Sequence, residues 1–212
     1  MCQVTDHLKN YSGFRPRVIV HVGAHLAEEL AAYEALSPEI IVWIEADPEI
    51  YRRLVDAVGC RGSPAVRHIC VNALIADTAD RDHKFYHFSN DGQSSSVFRS
   101  AENLRLTWPD VFETGRQLTL KSETLCDALT RIGIAPEQLD ILVLDIQGAE
   151  LMALEGTGEY LRHVKFLEVE VSTIPIYQGA PLFRDLDPWI TGHGFRRLSE
   201  VSFHGDAVYT RL

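Results

Sequence analysis

Five apolar runs, each bounded by turn-forming residues and separated by stretches of helical periodicity, constrain this chain more than any other feature. They read RVIVHV (17–22), IIVWIEA (40–46), AVRHICVNALIA (65–76), DILVLDI (140–146) and VKFLEVEV (164–171). Strands apolar on both faces belong to a parallel sheet covered by helices on both sides. The intervening LAEELAAYEAL places Leu26, Leu30, Tyr33 and Leu36 at helical spacing before Ser37 and Pro38 stop it, and EIYRRLVDAV follows Asp47 and Pro48 as a second helix ending at Gly59. FRRLSEV and DAVYTRL close the chain as an antiparallel hairpin across SFHGD. The fold class is therefore α/β, and 212 residues, 46% of them hydrophobic, suffice for one domain over 1–212.

Residues 78–139 interrupt the alternation. They hold a strand-like HKFYHF, a polar SNDGQSSS loop, the ambiguous VFRSAENLRLTWPDVFETG, a strand RQLTLK and a helix near 123–132. An insertion of this length inside a compact domain is usually functional, and a lid or acceptor wall is expected, with Val97, Phe98, Trp108 and Phe112 exposed and able to form a homodimer contact instead. The formal charge of −10 and the lack of any Lys/Arg run longer than two residues argue against a nucleic-acid or membrane partner. Four cysteines without Cys-x-x-Cys spacing suit reduced thiols, and the first sixteen residues lack the apolar run of a signal peptide. A soluble cytoplasmic protein is expected.

In an open parallel sheet the ligand lies beyond the carboxyl ends of the strands. The polar residues there are His21, Gly23 and His25 after the first strand, Glu45 and Asp47 after the second, Asn72 after the third, Asp145 and Gln147 after the next, and Glu168 and Glu170 on the last. Glu45 follows Gly23 by 22 residues, where a carboxylate can accept both hydroxyls of an adenosine ribose. Aligned with Gly-x-Gly-x-x-Gly, the second and third glycines are His25 and Glu28. A bulky side chain and an acid both oppose a pyrophosphate at that corner. S-adenosylmethionine, an adenosine with a cationic sulfonium and no phosphate, fits better.

These residues also carry a resemblance. From VIVHVGAHLAEEL through VWIEADPEIYRRL, NDGQSSSVF, DILVLDIQGAELMALEG and EVEVSTIPIYQGAPLF to HGFRRL, the chain resembles the FkbM family of S-adenosylmethionine-dependent methyltransferases over nearly its whole length. The resemblance implies a class I methyltransferase fold, a Rossmann-like, mostly parallel seven-stranded sheet ending in a reversed hairpin. It also implies O-methylation of a sugar or natural-product hydroxyl. Carried over by position, cofactor binding falls to Gly23, Ala24, Glu45, Ala46, Asn72, Ala73 and Leu74, joined from the strand-end reading by His25, Asp47 and Asp145.

Methyl transfer needs alignment of the acceptor and a group to take its proton. Asp145, Glu150 and Glu170 are the catalytic candidates, each with a capping or solvated role as the alternative. Ser94, Ser95, Ser96, Gln147 and Tyr177 are the candidate acceptor contacts, while His21 orients the glycine turn and His87, His193 and His204 have no partner identifiable from sequence. No metal ligand set is assigned, although Asp145 and Glu170 could share a divalent cation. Trp43 and Cys70 read as core. The expected partner is a small hydroxylated molecule. Two other readings stay open: a non-catalytic adenosine-binding module, which would bind cofactor and methylate nothing, and a nicotinamide-dependent oxidoreductase, which would bind NADH.

Overall fold

The computed structural model describes residues 3–8, 11 and 13–212; Cys2 lies outside them. In chain order the elements are α1 (Gln3–Leu8), β1 (Val18–Val22), α2 (Leu30–Glu34), β2 (Ile40–Glu45), α3 (Pro48–Arg61) and β3 (Arg67–Asn72). Then follow β4 (Leu74–Ile75), β5 (Asp82–Phe88), α4 (Glu102–Thr107), β6 (Glu113–Glu123) and α5 (Leu125–Arg131). The chain continues through β7 (Leu139–Leu144), α6 (Glu150–Glu155), β8 (Phe166–Ser172), α7 (Phe183–Gly192), β9 (Phe195–Arg197) and β10 (His204–Arg211).

The main sheet has seven strands in the order β3-β2-β1-β7-β8-β10-β9. The first five are parallel, and β10 runs antiparallel to both neighbours. Strand alternation divides the core. Val18, Val20, Ile40, Val42 and Leu142 face one layer with α5 and α7, whereas Ile19, Ile41, Trp43, Ile141 and Val143 face α1 to α3. Every residue of β1, β2 and β7 is buried, which is why these strands read as unbroken apolar runs. Asp140 fastens the opposite ends of the strands: it accepts from the Arg17 backbone at 2.7 Å and pairs with Lys165 at 2.9 Å. Among the described residues no helix is long and apolar enough to cross a membrane.

Two departures from the expected boundaries bear on the site. The run 65–76 leaves the main sheet after Asn72, and Leu74–Ile75 instead pairs with β6 in a second, three-stranded sheet ordered β4-β6-β5. The helix expected over 26–36 shortens to Leu30–Glu34, because His25 (φ 41°) and Ala27 (φ 55°) are left-handed. Glu28 stabilises that turn by accepting the Leu26 N–H at 3.2 Å and meeting His25 Nδ1 at 2.7 Å, local bonds that compete with the helical ladder.

Gly23 is required where β1 meets β7. Its φ is +86°, and a Cβ there would stand 1.8 Å from the Asp145 carbonyl oxygen. Gly23→Ala is expected to cost more than about 3 kcal/mol or prevent folding. In α3 a Cβ on Gly59 meets nothing within 4 Å. Gly59→Ala should stabilise by about 0.5–1 kcal/mol. Thermal denaturation of the two variants checks both signs.

Candidate active site

The carboxyl ends of β1 and β2 are drawn together at the corner, where the N–H groups of Gly23 and Ala24 both donate to the Ile44 carbonyl at 2.9 and 3.0 Å. Glu45 ends β2 in a buried position; its Oε2 accepts the His25 N–H at 3.0 Å and its Oε1 the Asp47 N–H at 2.9 Å. Each oxygen keeps a second lone pair. Burial raises the Glu45 pKa, against the pull of those two N–H groups. The carboxylate sits at the edge of a cavity of about 50 Å³ whose other walls include Ala46, Ala73, Leu74, Ile75 and Phe85.

Two residues expected to bind the cofactor have other partners in the structure. Asp47 lines neither this cavity nor the larger one beside it; its Oδ1 caps α3 by accepting from Glu49 at 2.8 Å and Ile50 at 3.4 Å. Asn72 also lies outside both, and its amide donates to the carbonyls of Glu45 and Ala46 at 2.7 and 3.1 Å, tying the ends of β2 and β3.

A second cavity of about 310 Å³ adjoins the first, and Gly23, His25, Gln93, Asp145 and Gln147 line both. Ala24 contributes to the larger one alone. Asp145 Oδ1 accepts from Gln147 Nε2 at 2.5 Å. Gln147 Oε1 in turn accepts from the Tyr177 hydroxyl at 2.7 Å, and the same hydroxyl lies 3.0 Å from the Ser94 carbonyl. The polar chain so formed crosses from β7 to the insertion. Gln147 adopts φ +58°, a left-handed conformation that holds its amide over Asp145.

Glu170 enters from β8. His204 on β10 stands beside it because the antiparallel register places His204 opposite Ser172. His204 Nε2 is 3.1 Å from Glu170 Oε1, and Nδ1 is 2.5 Å from Ser172 Oγ. Burial lowers the His204 pKa, so the neutral ring with hydrogen on Nε2 satisfies both partners. Glu170 is pushed up to about 8, first by burial and then by the charges of Glu150 and Asp206. Asp145 is also raised, by burial and then by Glu170. Two half-buried carboxylates facing one cavity cannot both ionise freely.

Glu150 lies outside both cavities. Its Oε1 accepts the N–H groups of Ile146 and Gly148, each at 3.1 Å, and so caps the turn before α6; burial still raises it to about 7. The three serines also separate. Ser94 lines the larger cavity, Ser95 accepts the Phe88 N–H at 3.2 Å at the edge of the smaller, and Ser96 turns inward to donate to the Gln147 carbonyl at 2.7 Å. Residues 90–95 roof both cavities. They are pinned through Asp91, whose carboxylate meets Arg53 at 2.8 and 2.5 Å and whose carbonyl lies 3.1 Å from His25 Nε2. Burial lowers the His25 pKa, but Glu28 and the Asp91 carbonyl outweigh it, and the net shift is upward.

Of the four insertion residues expected to project into solvent, Phe112 is exposed, while Phe98 packs partly buried against the cluster of Phe88, Leu104, Ile176 and Tyr177, Val97 lines the smaller cavity and Trp108 the larger. Sequence reasoning missed His204, Asp206, Asn90, Gln93 and Trp108. For His204 and Asp206 a signal existed: pairing the closing hairpin against VKFLEVEV brings both beside Glu170. Among the described residues no three His, Cys, Asp or Glu side chains come together to hold a metal ion.

A family model described as the methyltransferase FkbM domain matches residues 21–197. Among solved structures the chain is similar to the methyltransferase FkbM from Methylobacillus flagellatus KT, at 16% identity and a TM-score of 0.57, over 92% of this chain and 43% of that one. It thus spans less than half of that protein. It is also similar to magnesium protoporphyrin IX methyltransferase from Synechocystis PCC 6803, solved with bound SAM (8% identity, TM-score 0.52, 99% of this chain and 77% of that). A protein of the NADB-Rossmann superfamily from Streptococcus agalactiae gives 13% identity and a TM-score of 0.53 over 100% of this chain and 68% of that. No curated protein matches. At these identities the structures establish the fold alone, and the family model, which covers most of the chain, supplies the rest: the chain belongs to the FkbM family of methyltransferases.

Proposed function

We propose that the chain transfers the methyl group of S-adenosylmethionine to a hydroxyl of a small acceptor held in the 310 Å³ cavity. The observation that carries this reading is the placement of Asp145, which lines both the Glu45 cavity and the larger one and stands against Glu170. The donor set suits the cofactor. Glu45 retains lone pairs for a ribose diol, Ala73, Leu74, Ile75 and Phe85 offer an apolar bed for a base, and among the described residues no Lys or Arg lines either cavity. When bound, S-adenosylmethionine supplies a methyl carbon already activated by the sulfonium.

The chain's own residues then align and deprotonate. Gly23, Ala24 and His25 border the junction of the cavities, and Asp145, fixed by Gln147, faces the cofactor's cationic end. Trp108, Ile176 and Leu104 form an apolar wall for the acceptor, with Ser94 and Tyr177 beside it. Glu170 is the group placed to take the hydroxyl proton, since it adjoins that wall and His204 holds it by Oε1. The acidic corner opposes a dinucleotide, because the Glu28 carboxylate already occupies the Leu26 N–H that a phosphate would use.

Calorimetric titration with S-adenosylmethionine, S-adenosylhomocysteine and NADH tests the cofactor, and transfer of a labelled methyl group to a panel of sugars and polyols tests the reaction. Binding of the first two with methyl incorporation supports the proposal. Binding without transfer to any acceptor leaves an adenosine-binding module, and binding of NADH alone rejects the reading.

A further inference from the structure

A third cavity, of about 20 Å³, adjoins the larger one, and Glu170, Ile176, Tyr177 and His204 line both. That is room for one water molecule. Ser172 borders this third cavity and not the larger one. The chain from Glu170 Oε1 to His204 Nε2 (3.1 Å), and from His204 Nδ1 to Ser172 Oγ (2.5 Å), therefore leads from one cavity to the other. The register explains it. Glu170 and Ser172 lie two residues apart on β8 and share a face; His204 pairs with Ser172, and its ring reaches the diagonal neighbour Glu170. Trp108 packs against the imidazole in a T-shaped contact with ring centroids 5.1 Å apart.

A carboxyl, an imidazole and a hydroxyl can each give and take a proton. The same two distances accommodate two arrangements. With Glu170 ionised, Nε2 donates to Oε1 and the serine hydroxyl donates to Nδ1. With Glu170 protonated, Oε1 donates to Nε2, and Nδ1 donates to the serine oxygen. The ring is neutral in each, as burial favours. Glu170 is faced by Asp145 after β7, Glu150 on α6, Tyr177 ahead of α7, and His204 and Asp206 on β10, with the N-terminal amino group acting on Asp206 in turn. Burial and these acids keep a proton on Glu170 at neutral pH. That proton must leave before Glu170 can act as a base, and an acceptor seated in the larger cavity covers its front.

We propose that His204 and Ser172 are a proton exit for Glu170, leading from the larger cavity to the third one and arming Glu170 while an acceptor is bound. The inference rests on reading Glu170 as the base. From the protonated arrangement, Oε1 gives its proton to Nε2, Nδ1 gives its proton to Ser172 Oγ, and the hydroxyl proton that Ser172 already held passes to water. Three bonds to hydrogen break and three form, leaving the Glu170 carboxylate. The acceptor hydroxyl then gives its proton to the other carboxylate oxygen as its own oxygen takes the methyl group. Exchange with solvent after the product leaves restores the starting arrangement.

The test is the NMR spectrum of the isotope-labelled ring nitrogens of His204, assigned by their loss in His204→Gln. As pH rises through the Glu170 midpoint of about 8, the hydrogen-bearing nitrogen should change from Nδ1 to Nε2 while the ring stays neutral. Glu170→Gln should abolish the change. A ring that keeps one tautomer throughout, that is charged just below the midpoint, or that switches equally in Glu170→Gln overturns the proposal; the first two outcomes are read on the unmodified chain. The exit itself is tested on methyl transfer to the panel of sugars and polyols. Ser172→Ala should slow transfer at least about tenfold at saturating cofactor and acceptor, and Ser172→Thr, which keeps a hydroxyl, should restore it. Full rate in Ser172→Ala, or a loss that threonine does not restore, overturns the exit. The ring measurement needs neither cofactor nor acceptor, so failure of S-adenosylhomocysteine to bind would reject the methyltransferase reading without touching the proton shift.

Discussion

Replacing Glu170 by glutamine is expected to lower methyl transfer by about 100- to 10,000-fold, the range a positioned base contributes, while S-adenosylhomocysteine affinity stays within about threefold. Glutamine preserves the volume and an acceptor for His204 Nε2, so loss of rate reports on proton removal. The pH profile sharpens the test. A base must be ionised, and Glu170 sits at about 8, raised first by burial and then by its acidic neighbours. Activity of the unmodified chain should therefore climb as pH rises through about 8, and the variant's residual activity should lack that limb. Stability moves the opposite way. Between the ordinary value of 4.5 and about 8 the folded carboxyl keeps a proton that the unfolded one has lost, so stability falls as pH increases across that window. Glu150, at about 7, adds a loss in the same direction. At pH 8.5 Glu170→Gln should melt about 4 °C or more above the unmodified chain, although it is nearly inactive. A variant that loses activity and melts lower would show that Glu170 is structural.

Glu45→Ala is expected to weaken S-adenosylmethionine and S-adenosylhomocysteine binding by about 100-fold or more, because two hydrogen bonds to a charged acceptor are removed from a buried site. The same carboxylate holds the N–H groups of His25 and Asp47. Its loss therefore also loosens the corner. Glu45→Gln separates these roles. The amide oxygen can accept one of the two backbone N–H groups, while the amide nitrogen can only donate, so the variant should keep most of the fold and still bind at least about tenfold more weakly. Calorimetry on both variants, with circular dichroism to confirm folding, decides the matter. Equal affinity in all three proteins would place the adenosine elsewhere.

The parallel strands were readable because burial on both faces leaves no polar residue in β1 and β2 except His21 and, at the very end, Glu45. The same logic misjudged Leu74 and Ile75, whose apolar character serves the second sheet as well as it would have served a longer β3. Periodicity misjudged Leu26, since spacing cannot register that Glu28 prefers the turn's own N–H groups to helical solvent exposure. At the site, residues fixed by strand ends, such as Glu45 and Asp145, were identifiable. Glu150 was read as a catalytic candidate, and its carboxylate proves to be turned onto backbone N–H groups, a matter of rotamer that no spacing encodes. His204 lacked a partner in sequence because its neighbours Glu170 and Ser172 lie more than thirty residues away and meet it only through the hairpin register.

One loop, held through Asp91 to Arg53 and His25, covers both the Glu45 cavity and the larger one, with Gln93 reaching into each. On the proposed function, cofactor and acceptor would lie under this same loop, so a displacement that frees Asp91 from Arg53 and His25 would open both cavities together.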